Sequence, residues 1–203
     1  MPLIPLSSVS TGTLNQGNGQ YYQASLLDKV FMGGTLIAGV ALPVMAATLT
    51  SKFTLWNPAG SGVVAEPIVF GMGITSVTTV VNGIGFAVLY NVSQLSTGLP
   101  TGPVFAAGAA QTNAAVGNGG VSVSGKATPK CGLYTTLVLT NAAVFGPVVM
   151  VMGGFGAVTD GSLAPNPYFF NGSVVLPPDS LLTFVTNIAA ETAETYSLQW
   201  AEW

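Results

Sequence analysis

The apolar runs of this chain are short, and glycine, proline or asparagine stops nearly all of them. "TLIAGVALPV" (35–44) and "FTLW" (53–56) lead into the turn cluster "NPAGSG" at 57–62. "VVAEPIVFGMGITSVTTVV" (63–81) runs up to Asn82-Gly83, a pair that signals a hairpin. No stretch carries an amphipathic helical period of useful length. The last run does carry a period of two: Tyr196, Leu198 and Trp200 alternate with Ser197, Gln199 and Ala201, the pattern of a half-buried strand. In "VVLPPDSLLTF" (174–184) two prolines cannot donate to a ladder. They end one strand at a sheet edge. Asp179 and Ser180 can cap the turn, and the next strand starts at Leu181.

Read this way, the chain holds roughly nine or ten strands at fairly regular spacing, which predicts a sandwich or barrel. Some spacings are too long for a plain meander. They favour Greek-key crossovers, and so an all-β jelly roll or related two-sheet β-sandwich. Residues 7–20 are rich in Gly, Ser and Asn and read as an extended arm. The expected organisation is an N-terminal arm over 1–24 and a single β-sandwich domain over 25–203. Long loops are expected near 93–130 and 159–172. Within the first, "AAGAAQTNAAVG" (106–117) is a candidate short helix.

Only 5% of the residues are charged, against roughly 25% in an average globular protein. Net charge is −3, with four lysines and neither arginine nor histidine. A nucleic-acid binder neutralises phosphates with a basic patch, which four scattered lysines cannot form. The same shortage argues against an anionic membrane surface. Without histidine, the usual general base and the commonest metal ligand are missing.

The mean hydropathy of +0.61 raises the question of a membrane span. The best candidate, 30–51, is interrupted by Gly33, Gly34, Gly39 and Pro43, which suits a spanning helix poorly. The N-terminus has no positive n-region and no continuous apolar run. The expectation is therefore no membrane span and no signal peptide. The lone Cys131 reads as a small buried hydrophobe. A chain that is 49% hydrophobic with so few charges would stay soluble by burying surface between subunits.

Three segments, "LWNPAGSG" (55–62), "GSVVLPPDSLLTF" (172–184) and "YSLQWAEW" (196–203), together resemble a loose family of tailed-phage virion proteins. That family has a "NPxGSG" turn, a "VPPGS"-like turn before the last two strands, and a closing Trp-Glu strand. Asp179 stands where the family pattern has Gly. The resemblance implies a structural protein of the virion, a capsid decoration, head-fibre or spike type made in the host cytoplasm. It supplies no catalytic residues and no cofactor.

Other chemistry is thin. Glu191 and Glu194 could pair as acid and base of a glycosidase, but in a hairpin loop they read as solvated charges. Asp160 could offer oxygens to Ca²⁺, but reads as a turn residue. The expected function is a non-enzymatic virion structural protein, with no nucleic acid and no membrane as partners. It would assemble as a homotrimer beside the major capsid protein, through hydrophobic faces, edge pairing and the arm. The alternative is a receptor- or glycan-binding tip of a fibre or spike, with Tyr168, Phe169 and Phe170 exposed in the second loop.

Overall fold

A computed structural model describes residues 21, 24–25, 27–35, 41–44, 49–74, 82–92, 111–115, 129–134, 138–139, 148–155, 167–186 and 194–203. Twelve strands lie among them: β1 (Val30–Thr35), β2 (Leu49–Thr50), β3 (Thr54–Asn57), β4 (Ala65–Ile74), β5 (Asn82–Tyr90), β6 (Gln111–Ala115), β7 (Gly132–Tyr134), β8 (Val138–Leu139), β9 (Val148–Phe155), β10 (Tyr168–Phe169), β11 (Ser180–Thr186) and β12 (Glu194–Glu202). Ten form two five-stranded sheets, with orders β10-β4-β12-β1-β6 and β7-β3-β11-β5-β9; β2 and β8 make a small third sheet.

The pairing is nested. β1 pairs with β12, β3 with β11, β4 with β10 and β5 with β9, all antiparallel. In these four couples, strands of the first half of the chain are matched with strands of the second half in reverse order. β12 also pairs with β4, and β11 with β5, which joins these couples into two sheets. This is the strand order of a jelly roll, with β6 and β7 added beside β1 and β3. The expected all-β sandwich with Greek-key crossovers is present.

The core lies between the sheets. Phe31, Phe70, Tyr196 and Trp200 come from the first sheet, and Phe86 and Phe184 from the second. Phe53, just before β3, joins them. Phe70 and Phe184 stack with ring centroids 4.0 Å apart, and Phe31 lies 5.9 Å from Trp200. The second sheet is buried on its outer side too. There Trp56, Leu89, Leu181 and Val185 cluster with Tyr134. A strand buried on both faces needs no alternation, and β11 is buried at every position.

Three local expectations change. Asn82-Gly83 is no hairpin turn: both residues lie in β5, opposite Phe155 and Gly154, and β4 and β5 belong to different sheets. Residues 111–115, inside the candidate helix, form β6 against β1. A free sheet edge offered a ladder that outweighs the weak helical preference of "QTNAA". Ala201 alternates as expected but is buried. It sits with Val30 and Ile68 under Ala24 and Tyr21 on the outer face of the first sheet. Tyr21 and Ala24, assigned to the arm, thus pack on the domain; residues 1–20 lie outside the described residues.

The turn at 177–180 forms as its prolines require. The Ser180 hydroxyl donates to the Pro177 carbonyl at 2.6 Å, and the Asp179 amide donates to the Asn57 carbonyl at 2.9 Å. Asp179 has φ +66°, in the left-handed region that Gly adopts freely and Asp tolerates. Asp179→Gly is therefore expected to fold with unchanged stability within about 0.5 kcal/mol, whereas Asp179→Val should lose about 1–2 kcal/mol. Urea unfolding of the two variants checks this.

Candidate functional site

The three segments that carry the resemblance meet at one corner of the sandwich. Asn57 ends β3 and holds the following turn. Its Nδ2 donates to the carbonyls of Val63 (2.8 Å) and Leu176 (2.9 Å). The turn needs its glycines, because Gly60 and Gly62 have φ of +78° and +73°. Ala65 and Leu176 exchange backbone hydrogen bonds at 2.9 and 2.8 Å, and Val64 and Trp203 do so at 3.0 and 2.9 Å. "NPAGSG", "VVLPPDS" and "QWAEW" are therefore parts of one clasp that closes the sheets at this end.

Two carboxylates anchor it. Glu202 is buried, with Trp200 on the same inward parity of β12. It accepts from the amides of Lys130 (2.8 Å) and Cys131 (2.9 Å) and from the Trp200 indole at 3.1 Å. Glu66 lies opposite Ala201 on the outward side. It accepts from the Tyr21 hydroxyl at 2.7 Å and the Trp203 indole at 3.0 Å. The Lys29 ammonium stands 5.7 Å from the Trp203 ring centroid, within cation–π range. Burial, reinforced by Glu66, pushes the Tyr21 phenol well above its usual range, so it stays a donor. Each carboxylate thus has fixed donors on both oxygens or from several directions, the arrangement of a structural clasp.

Sequence reasoning missed both anchors. A signal existed for Glu202: a charge on the same alternating parity as Tyr196, Leu198 and Trp200, directly after three large buried side chains. Glu66 precedes Pro67 in a strand, and a proline there implies an irregular ladder. The ladder does slip at this point: Gln199 pairs with Val69 but Trp200 with Pro67, leaving Ile68 as the bulged residue.

Cys131 is buried. Desolvation first, and the nearby Glu202 carboxylate second, push its thiol far above the usual range. It should resist alkylation by iodoacetamide at pH 8 in the folded protein and react fully in 6 M guanidinium, because the thiolate is the nucleophile. Mass spectrometry of the two samples reads this directly.

The other candidates scatter. Asp160 and Glu191 lie outside the described residues, and Glu194 opens β12. Of the three aromatics expected to be exposed, Phe169 is open, Tyr168 is partly buried and packs on the core, and Phe170 is a core residue. They belong to β10 and its end because Tyr168 and Phe169 pair with Phe70 and Val69. Among the described residues, no group of three His, Cys, Asp or Glu could hold a metal ion, and no helix is long and apolar enough to cross a membrane. Comparison with protein-family models, curated proteins and solved structures found no match.

Proposed function

We propose that this chain is a non-enzymatic structural subunit of a virus particle, of the tailed-phage kind, that assembles with copies of itself on or among the major capsid subunits. One observation carries the reading: a jelly-roll sandwich whose first sheet has an outward face nearly free of charged side chains, in a chain with 5% charged residues. A surface of this kind is inexpensive to remove from water and has few charges to repel a neighbour. The clasp adds support, since the segments that resemble virion proteins are joined in one structural unit. Fold alone does not specify function; surface chemistry and the resemblance give the reading its direction. The fibre-tip alternative loses Phe170 to the core.

The purified chain, 20.5 kDa per subunit, should elute as a homo-oligomer in size-exclusion chromatography with light scattering at micromolar concentration. A stable monomer overturns the proposal.

A further inference from the structure

The chain contains four Asn-Gly pairs, and the described residues hold two of them, Asn82-Gly83 and Asn171-Gly172. In such a pair the glycine's backbone nitrogen can attack the asparagine's side-chain amide carbon, because no Cβ on the glycine hinders the approach. The two pairs share this chemistry and differ in what holds them.

Asn171 and Gly172 are exposed and belong to no strand. Their φ angles are +49° and +74°, a succession of left-handed residues for which Asn-Gly is the favoured sequence. The Ser173 amide donates to the Phe170 carbonyl across the turn at 2.9 Å. The chain swings away from the edge of β4 here: the Phe170 amide donates to the Ile68 carbonyl, and contact with β4 resumes where Leu176 and Ala65 exchange bonds. Asn82 and Gly83 instead lie within β5, opposite Phe155 and Gly154 of β9. Rotating that peptide requires two strands to part. Local opening costs least at exposed turns and most in core ladders.

We infer that Asn171 is a site of spontaneous deamidation in the folded protein, and that the β5–β9 ladder protects Asn82. The Gly172 nitrogen forms a bond to Asn171 Cγ, the Cγ–Nδ2 bond breaks, and ammonia leaves with the proton of the Gly172 amide. Water then opens the resulting succinimide at one of its two carbonyls, giving aspartate or isoaspartate. Water is the only co-reactant.

The turn lies against one anchor of the clasp, since a Cβ built on Gly172 would stand 3.4 Å from Glu66 Oε1. Phe170 and Val174, on either side of it, are buried. Isoaspartate carries the main chain through its side-chain carbons and so lengthens the path between these two fixed points by a methylene. Both products add a negative charge to a chain whose net charge is −3. An aged subunit therefore differs from a new one in charge and in turn geometry beside Glu66.

The test is tryptic mapping with tandem mass spectrometry after the purified chain has stood at pH 8 and 37 °C, folded and in concentrated urea. Cleavage after Lys52, Lys126 and Lys130 puts Asn82 and Asn171 in separate peptides. In the folded protein NH₂ should be replaced by OH at Asn171 at least about ten times faster than at Asn82, and in urea at about equal rates, where no ladder protects either. Aspartyl and isoaspartyl forms of the 131–203 peptide should appear together, the mark of the succinimide. Asn171→Gln should show no change at this position on the same timescale, because its larger ring closes slowly.

Asn171 that stays intact in the folded chain while converting in urea overturns the inference. Equal conversion of Asn171 and Asn82 in the folded chain does so too, as does an aspartyl product without its isoaspartyl partner. These readings come from the wild type, so they hold if Asn171→Gln does not fold, and none of them depends on how many subunits assemble.

Discussion

Replacing Trp200 by alanine should lower subunit stability by about 3–5 kcal/mol, as expected for a large aromatic removed from a packed site. The side chain has 0% exposure, packs on Phe31 and donates its indole to Glu202. Its loss opens a cavity in the core and removes one of the donors that stabilise a buried carboxylate. Trp203→Ala is the matched comparison, three residues on and 42% exposed. Its indole bond to Glu66 is exposed, and the backbone bonds to Val64 survive the substitution, so the loss should be about 1 kcal/mol. Urea unfolding at constant m-value reads both. Equal effects would refute the placement of Trp200 inside and Trp203 outside.

Glu202→Ala should be of similar size, about 3–5 kcal/mol, but for a different reason. The substitution strands the amides of Lys130 and Cys131 and the Trp200 indole, and a buried donor left without its partner costs about 1–3 kcal/mol. Glu202→Gln, which keeps one acceptor oxygen, should lose about half as much. The damage should also be local. The Lys130 and Cys131 amides should exchange with deuterium faster in Glu202→Ala than in Trp200→Ala, and Cys131 should become open to alkylation. Uniform acceleration across the domain in both variants would deny Glu202 its role as an anchor for this segment.

The architecture was legible where side-chain pattern and turn chemistry agree. Tyr196, Leu198 and Trp200 are buried as their period of two requires. Asn57 to Gly62 turn because the glycines take positive φ, and Pro177 and Pro178 lead into the turn before β11, although only an isolated bridge at Leu176, not the expected strand, precedes them. Legibility failed where a tertiary partner decided the outcome. Asn82-Gly83 carries hairpin chemistry, yet β9 extends the strand through it. Residues 111–115 became a strand because β1 had an unoccupied edge. The clasp was half visible. Its three segments stood out as turns and a closing strand, but their convergence depends on the pairing of chain halves, which no local window contains. Glu66 and Glu202 stand far apart in the chain and look unrelated, whereas Glu191 and Glu194 lie three residues apart and look like a pair.

The nested pairing also determines when this protein can fold. The central strands, β11 and β12, follow their flanking partners β5, β3, β4 and β1 in the chain. A ribosome emitting this sequence releases strands whose central neighbours have yet to be synthesised. Loop-closure entropy must be met across most of the chain before those ladders form, which places the molecule among slow, high-contact-order folders. Until β11 emerges the second sheet lacks its centre, and until β12 emerges the first does, so their edges are open to other nascent chains. Glycine-rich, weakly β-prone strands such as β1 and β4 blunt that hazard. The same order makes β12 a checkpoint, because a chain broken off before it can close neither the clasp nor the first sheet.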